Sequence, residues 1–234
     1  MKFLCLLLCL LTLRPACGQT DTVSPKQWIL PASLIAVGAA GAVIDGMSDF
    51  RLLTRRSSVK QVRADDYAQW GMLGWVFVCD LAGKEKHHWK DQLLLVGLTE
   101  ALNGGIVMGM KHTLNVERPN GTNHSFPSGH TANAFAGAHI AYKELKDSSP
   151  ALACSGYLIA AMVGASRIYN NRHWVSDVLA GAGVGILSAE LSYLIYFPIR
   201  DALVKRSDNT VASRLILAPV LNPQSKGLYL SYSF

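Results

Sequence analysis

Apolar residues are concentrated in six segments of the chain, and each segment is rich in Ala, Leu and other small residues. These segments cover roughly residues 28–45, 67–83, 91–113, 129–143, 151–166 and 174–197. Runs of this composition predict helices rather than strands. Few of them have the ~20 mostly apolar residues of a typical transmembrane helix. We therefore expect an all-α fold, a six-helix bundle that is either membrane-embedded or membrane-associated.

Polar and ionisable residues interrupt three of these segments. They are Glu100 and Asn103 in the third, His130, Asn133 and His139 in the fourth, and Asp177 and Glu190 in the sixth. Such side chains are costly to expose to lipid, so inside a span they face the bundle interior or a functional site. Asp65 and Asp66, just before the second segment, are instead interpreted as a helix N-cap rather than a catalytic carboxylate pair.

The two ends of the chain differ from its helical part. A basic residue at position 2 is followed by an apolar run and then by the small residues "ACG", which predicts a signal peptide over residues 1–18. A helical domain is expected over 19–200 and a C-terminal tail over 201–234. In the tail, "RLILAPVL" and "GLYLSYSF" flank "NPQSK", and this pattern predicts a short β-hairpin.

Composition narrows the class of partner. The 234 residues are 50% hydrophobic and 16% charged, with a mean hydropathy of +0.22, a net charge of +6 and a pI near 9.1. A basic surplus indicates anionic partners such as lipid headgroups, phosphorylated substrates or nucleic acid. No helix face combines clustered Lys and Arg with aromatic residues, so nucleic acid is not expected.

The sequence "KHTLNVERPN" ends the third apolar segment. Lys111 and Arg118 are seven residues apart, so a helix continuing to Pro119 would place both cations on one side, two turns apart. Two cations near the end of an apolar helix can simply extend their charged groups into water. The pair can also bind an anion. The next two motifs help to decide between these two interpretations.

The sequence "SFPSGHTANAF" opens the fourth segment. Ser128 and Gly129 lie where the helix begins, and the first four backbone N–H groups of a helix have no partner within it. These groups and the positive end of the helix dipole suit a phosphate oxygen. Glycine permits close approach of the backbone, and His130 places a proton donor beside it. A helix cap with a polar first turn is the alternative.

The sequence "SRIYNNRHWVSD" precedes the sixth segment. His173 and Asp177 are four residues apart, so on a helix they would share one face. A carboxylate there can hold one ring nitrogen as N–H and leave the other free as a nucleophile or base. Arg167 lies six residues before His173, and its side chain can reach toward the same site. Taken alone, the spacing of His173 and Asp177 is more typical of a surface ion pair.

Together, the three motifs identify a family resemblance. Lys111–Pro119, Pro127–His130 and Ser166–Asp177 occur in this order, each at the end of an apolar segment, within about 67 residues. They resemble the signature of the type 2 phosphatidic acid phosphatase superfamily, which also includes bacterial acid phosphatases and vanadium haloperoxidases. The six-helix pattern extends the resemblance to most of residues 28–197.

The resemblance implies a role for each motif residue. His173 would attack phosphorus and form a phosphohistidine, Asp177 would orient it, and His130 would protonate the leaving oxygen and then activate water. The phosphate-binding groups would be Lys111, Arg118, Ser128, the Gly129 N–H and Arg167. No metal or other cofactor is implied. A metal site on His124 and His130 would lack a Cys or carboxylate at ligand spacing.

The function implied is that of a bacterial envelope lipid phosphatase acting on a phosphate monoester or pyrophosphate. Its anionic lipid substrate would be of the lipid A, undecaprenyl pyrophosphate or phosphatidylglycerol phosphate type, at a membrane, with no obligate protein partner. A non-specific periplasmic acid phosphatase is the alternative enzyme. A lipid-binding module that kept the bundle without the activity is the non-enzymatic alternative.

The membrane arrangement raises a difficulty. The resemblance implies an active site that faces the periplasm, but six full spans after a cleaved signal would turn that site inward. Three arrangements avoid this conflict: the signal stays as a seventh span, one apolar helix does not cross, or the bundle sits in the periplasm bound to the membrane. Basic residues are distributed among the loops without deciding between these arrangements.

Overall fold

The computed structural model describes residues 24–45, 63–81, 86–211, 215–222 and 225–232. Within these ranges the chain forms six α-helices, which confirms the predicted all-α class. The helices are α1 (Ile29–Asp45), α2 (Ala64–Leu81), α3 (Trp89–Leu114), α4 (Gly129–Leu145), α5 (Pro150–Tyr169) and α6 (Val175–Val211). A short 3-10 turn, Pro25–Trp28, precedes α1.

The chain divides into two compact units. The larger unit, Thr22–Tyr193, contains α1 to α5 and the first half of α6. The other includes Leu194–Phe234, with the end of α6 and two antiparallel strands, β1 (Leu215–Asn222) and β2 (Ser225–Tyr232). The strands lie where the hairpin was predicted. The proposed signal peptide lies outside the described residues, and the predicted domain limits remain predictions.

Small residues bring α4 and α6 together in the core of the larger unit. Ala132, Ala136 and Ala180 are fully buried. A Cβ at Gly181 would lie 2.5 Å from the carbonyl oxygen of Ser128, a distance that no side chain tolerates. Glycine at this position therefore allows the start of α6 to lie directly against the turn that leads into α4.

Several polar side chains inside the helices pair with one another. The hydroxyls of Thr99 and Ser192 are 2.6 Å apart, and Asn103 donates a 2.7 Å hydrogen bond to Asn133. The carboxylate of Glu190 meets the imidazole of His139 at 2.7 Å. These contacts join α3, α4 and α6 and satisfy groups that lipid could not.

Four stretches of the described chain are long and apolar enough to cross a membrane, judged by length and composition. They are Pro25–Val43, Trp89–Leu114, Pro150–Tyr169 and Val175–Val204. Large apolar side chains are exposed on their outer faces, including Leu94, Leu158 and Met162. Exposed large apolar side chains on helices of this length are typical of faces that contact lipid or a partner.

Candidate active site

The first motif does not form the continuous helix that the sequence predicted. Helix α3 ends at Leu114, because Asn115 adopts the left-handed conformation with φ 41° and its N–H closes the helix on the Lys111 carbonyl. Arg118 therefore lies in the loop beyond the helix. The two cations nevertheless converge, since the Lys111 Nζ and an Arg118 Nη donate to the same carbonyl oxygen, that of His124, at 2.7 and 3.5 Å.

Backbone hydrogen bonds hold the loop that carries Arg118. The Arg118 N–H donates to the carbonyl of Thr122 at 2.7 Å, and the Ser125 N–H donates to Val116 at 2.7 Å. The indole of Trp174 adds a 2.8 Å bond to the carbonyl of Glu117. This last contact ties the first motif to the third, so the guanidinium is positioned by both.

The second motif starts α4 without a side-chain cap. Ser128 is the N-cap residue, but its hydroxyl makes no capping bond; it instead accepts a 2.9 Å hydrogen bond from Thr131. The Ser128 N–H donates to the carbonyl of Asp177 at 3.0 Å. The first turn thus presents its N–H groups and the positive end of the helix dipole without an internal acceptor, which suits an anion.

The protein itself leaves room for a side chain at Gly129. A Cβ there would approach nothing closer than Val107, at 3.6 Å, which is ordinary van der Waals contact. Packing therefore does not require glycine at this position. A requirement for it would have to come from a ligand that approaches the backbone closely.

His173 and Asp177 meet, but not on one helical face as predicted. Helix α6 begins at Val175, so His173 lies in the turn before it. The Asp177 Oδ2 atom accepts from the Trp174 N–H at 2.8 Å, and the third helical residue reaching back to the N-cap N–H is half of a capping box. The same oxygen lies 3.4 Å from His173 Nδ1 and also accepts from the Ser125 hydroxyl.

The surroundings of His173 keep its imidazole neutral. Burial lowers the pKa of His173 to about 4, and the Lys111 and Arg118 cations act in the same direction, against the hydrogen bond and charge of Asp177. At neutral pH the ring therefore has a free lone pair. With Nδ1 facing Asp177, Nε2 is the nitrogen that can attack.

Two carboxylates of α2 contact Arg167, and one of them also contacts His130. The guanidinium of Arg167 contacts Asp65 at 2.6 Å and Asp66 at 3.4 Å. Asp66 Oδ1 lies 2.9 Å from His130 Nε2. The interpretation of these aspartates as an N-cap is wrong, because both lie within the first turn of the helix and their carboxylates reach other elements.

Burial and neighbouring cations both shift the pKa values of groups in this site. Burial and then the charge of Arg167 lower the pKa of His130, while Asp66 and Asp65 oppose the shift. Burial and the Arg167 and Arg172 cations likewise lower the pKa of Arg118. Mutual repulsion of this kind is relieved when a dianion binds, so the cluster is suited to phosphate.

The structure brings all eight predicted site residues into one connected region of the larger unit. The contacts above link Lys111 and Arg118 to the loop before α4, that loop to Asp177, and Arg167 to His130 through Asp66. Their chemical roles remain predictions. Within the described ranges, no group of three or more His, Cys, Asp or Glu side chains is arranged to hold a metal ion.

The chain is similar to a known family and to several individual proteins. Residues 92–201 match the model of the PAP2 superfamily. The lipid A 1-phosphatase of Porphyromonas gingivalis is 45% identical over 136 residues, which are 55% of this chain and 31% of that protein. The probable lipid phosphate phosphatase 4 of Arabidopsis thaliana is 36% identical over 85 residues, 32% of this chain and 28% of that protein. The chain thus spans about a third of the length of these relatives.

Two solved structures are also similar to the chain. One is a transmembrane PAP2 type phosphatidylglycerolphosphate phosphatase from Bacillus subtilis, with 25% identity, a TM-score of 0.44, and coverage of 78% of this chain and 97% of that one. The other is LpxE from Aquifex aeolicus, with 21% identity, a TM-score of 0.41, and coverage of 74% and 98%.

Proposed function

We propose that this protein is a bacterial membrane phosphatase of the PAP2 superfamily that removes phosphate from an anionic lipid, since residues 92–201 match the model of that superfamily. One observation carries the proposal. A buried, neutral His173 held by Asp177 lies in the same site as three cations and a helix N-terminus. This combination supplies a nucleophile together with groups that stabilise negative charge as it builds in the transition state.

In the first step, the phosphate group binds with its oxygens directed at the cations and the N–H groups. Lys111, Arg118 and Arg167 supply the charge, and Ser128 and the Gly129 N–H supply further donors. His173 Nε2 attacks phosphorus, forming an N–P bond while the P–O bond to the lipid breaks. Asp177 stabilises the imidazole as it becomes cationic.

His130 handles the protons of both steps. Its resting pKa is lowered, but a bound phosphate dianion engages Arg167 and adds negative charge nearby, and both effects favour the protonated ring. His130 then gives its proton to the departing lipid oxygen. In the second step it takes a proton from water, which attacks phosphorus, breaks the N–P bond and releases inorganic phosphate.

The substrate class proposed first is a lipid A type phosphate monoester. The support is the 45% identity, over 136 residues, to a protein named lipid A 1-phosphatase. The apolar outer faces of the helices would keep the site at the membrane surface, within reach of a lipid headgroup. We propose that the active site faces the periplasm.

Phosphate release from a lipid panel tests the proposal. The full-length protein, purified in detergent, is assayed on lipid A, undecaprenyl pyrophosphate, phosphatidylglycerol phosphate and p-nitrophenyl phosphate, with His173→Ala as the control. We expect turnover of lipid A at the highest kcat/KM and none by the variant. Equal kcat/KM on all four would favour the non-specific acid phosphatase instead. Absence of release from every substrate would overturn the proposal.

The covalent step has its own test. Brief reaction with a 32P-labelled substrate, followed by denaturation, should trap label on the protein. A phosphohistidine bond is hydrolysed by acid and survives alkali, so the label should be lost only at low pH. His173→Ala should trap none, and acid-stable label in the wild-type protein would contradict a histidine nucleophile.

A further inference from the structure

The first turn of α2 contributes two carboxylates to the site, and no motif of the sequence marked them. Asp65 is buried and pairs with Arg167 at 2.6 Å. Asp66 is half exposed and lies between His130 Nε2, at 2.9 Å, and the Arg167 guanidinium, at 3.4 Å. These contacts connect residues 64 and 101 positions apart in sequence.

The two aspartates have different surroundings, which suggests different tasks. Asp65 is almost completely enclosed and pairs with Arg167, so it orients the guanidinium from behind. Asp66 lies at the mouth of the site with its carboxylate against an imidazole. The hydrogen bond from His130 lowers the pKa of Asp66, and the helix N-terminus also favours its ionised form. Asp66 is thus a carboxylate at neutral pH.

We propose that Asp66 is a positioning residue for His130, and the proposal rests on the phosphatase function proposed above. Its carboxylate holds His130 Nε2, which fixes the orientation of the ring and leaves Nδ1 as the nitrogen that exchanges a proton with the leaving oxygen. A carboxylate that fixes the tautomer and orientation of a catalytic imidazole is a general device of acid–base sites.

Asp66 also sets the pH range in which His130 can act as an acid. The charged groups that face His130 are Asp66 and Asp65 from α2 and Arg167 from α5. Asp66 favours the imidazolium, whereas Arg167 and burial disfavour it. Removing the carboxylate therefore lowers the pKa of His130, so the protonated fraction at neutral pH falls. The alkaline limb of the kcat/KM profile should consequently move to lower pH.

A competing explanation makes a different prediction. Asp66 bridges the same two groups, His130 and Arg167, that are proposed to meet the substrate. If its carboxylate merely occupies the place that a phosphate oxygen takes when substrate binds, removing it would lower KM. In that case kcat would stay the same and the alkaline limb would not shift.

Asp66→Asn distinguishes these cases, with Asp147→Asn as the matched control. Asp147 is an exposed aspartate on the loop between α4 and α5, so its replacement removes the same charge away from the site. For Asp66→Asn we expect the alkaline limb to move down by about one pH unit, with a loss of about tenfold in kcat/KM above the limb and a much smaller loss at lower pH. Asp66→Glu should keep the limb near its wild-type position.

A titration of His130 in the resting protein makes the outcome independent of turnover. The ring carbon signals are followed by NMR in 13C-histidine-labelled full-length protein, and His130→Asn assigns the signal. A lower His130 pKa in Asp66→Asn, but not in Asp147→Asn, supports the positioning role even if no lipid substrate is turned over. An unchanged His130 pKa, or a lower KM with an unshifted pH profile, would overturn it.

Discussion

Replacing Asp177 with Asn tests how much of the chemistry depends on a single carboxylate. Asn has nearly the same shape, so its carbonyl oxygen can still accept from the Trp174 N–H and from Ser125. The negative charge beside His173 is lost, however. The substitution therefore separates the charge of Asp177 from its role in holding the turn.

The magnitude follows from the distance between the two side chains. His173 Nδ1 and Asp177 Oδ2 are 3.4 Å apart and both side chains are buried. When His173 attacks, its imidazole acquires a positive charge that this carboxylate stabilises. Unit charges about 4 Å apart interact by about 4 kcal/mol at an effective dielectric constant near 20. Since about 1.4 kcal/mol corresponds to a factor of ten in rate, Asp177→Asn should reduce kcat by about a thousandfold.

The assay is single-turnover formation of the labelled phosphoenzyme, which isolates the attacking step from product release. Ser125→Ala is the matched control, because it removes another donor to the same carboxylate oxygen without changing the charge. Loss of one such hydrogen bond is worth about 1 kcal/mol, so this variant should slow the step by about tenfold or less. Circular dichroism should show the same helical content in both variants.

Two results would refute this reasoning. If Asp177→Asn stayed within about tenfold of the wild-type rate, the charge of the carboxylate would not stabilise the attacking imidazole. If Ser125→Ala were as slow as Asp177→Asn, the carboxylate would act mainly by holding the loop in place. Either outcome would leave Asp177 as a structural residue.

Four further expectations follow from the same site. His130→Asn should slow release from a lipid monoester by about 10²–10⁴-fold but p-nitrophenyl phosphate much less, since nitrophenolate leaves without a proton; equal losses would contradict an acid role. Because the pKa of His173 is lowered to about 4 and only the neutral ring attacks, the acidic limb of kcat/KM should lie near pH 4, and a limb near 6.5 would exclude His173 as its origin. Gly181→Ala should lower Tm, whereas Gly129→Ala should lower activity at unchanged Tm; the reverse pattern would contradict the packing of Gly181 against the Ser128 carbonyl. Activity should persist in EDTA and be inhibited by vanadate, and loss in EDTA that a divalent ion restores would establish a metal requirement.

The hydrophobic pattern predicted the helices well because burial and lipid contact both select apolar residues along a whole helix. The segment predicted at 28–45 is Ile29–Asp45, and that at 151–166 is Pro150–Tyr169. The local geometry at helix ends was predicted less well. Asn115 ends α3 before Arg118 by adopting a left-handed conformation, which the sequence permits but does not require.

The aspartates of α2 were missed for a different reason. A carboxylate in the first turn of a helix is stabilised by the helix dipole wherever that helix lies, so its presence has a sufficient local explanation. Asp65 meets Arg167 only because α2 packs near the end of α5, 102 residues later in the chain. The residue spacing within a short motif does not indicate such a contact. It is seen only in the tertiary structure.

Two separate loops converge on Asp177, and this explains why His173 and Asp177 meet although His173 lies outside the helix that carries Asp177. The Asp177 carboxylate binds the Ser125 hydroxyl and the Trp174 N–H, and its backbone carbonyl accepts from Ser128. The Trp174 indole in turn holds the Glu117 carbonyl, next to Arg118. Each motif is therefore fixed by the others rather than by its own secondary structure. A site built in this way couples stability to catalysis, because any substitution that loosens one loop also displaces the cations and the nucleophile on the others.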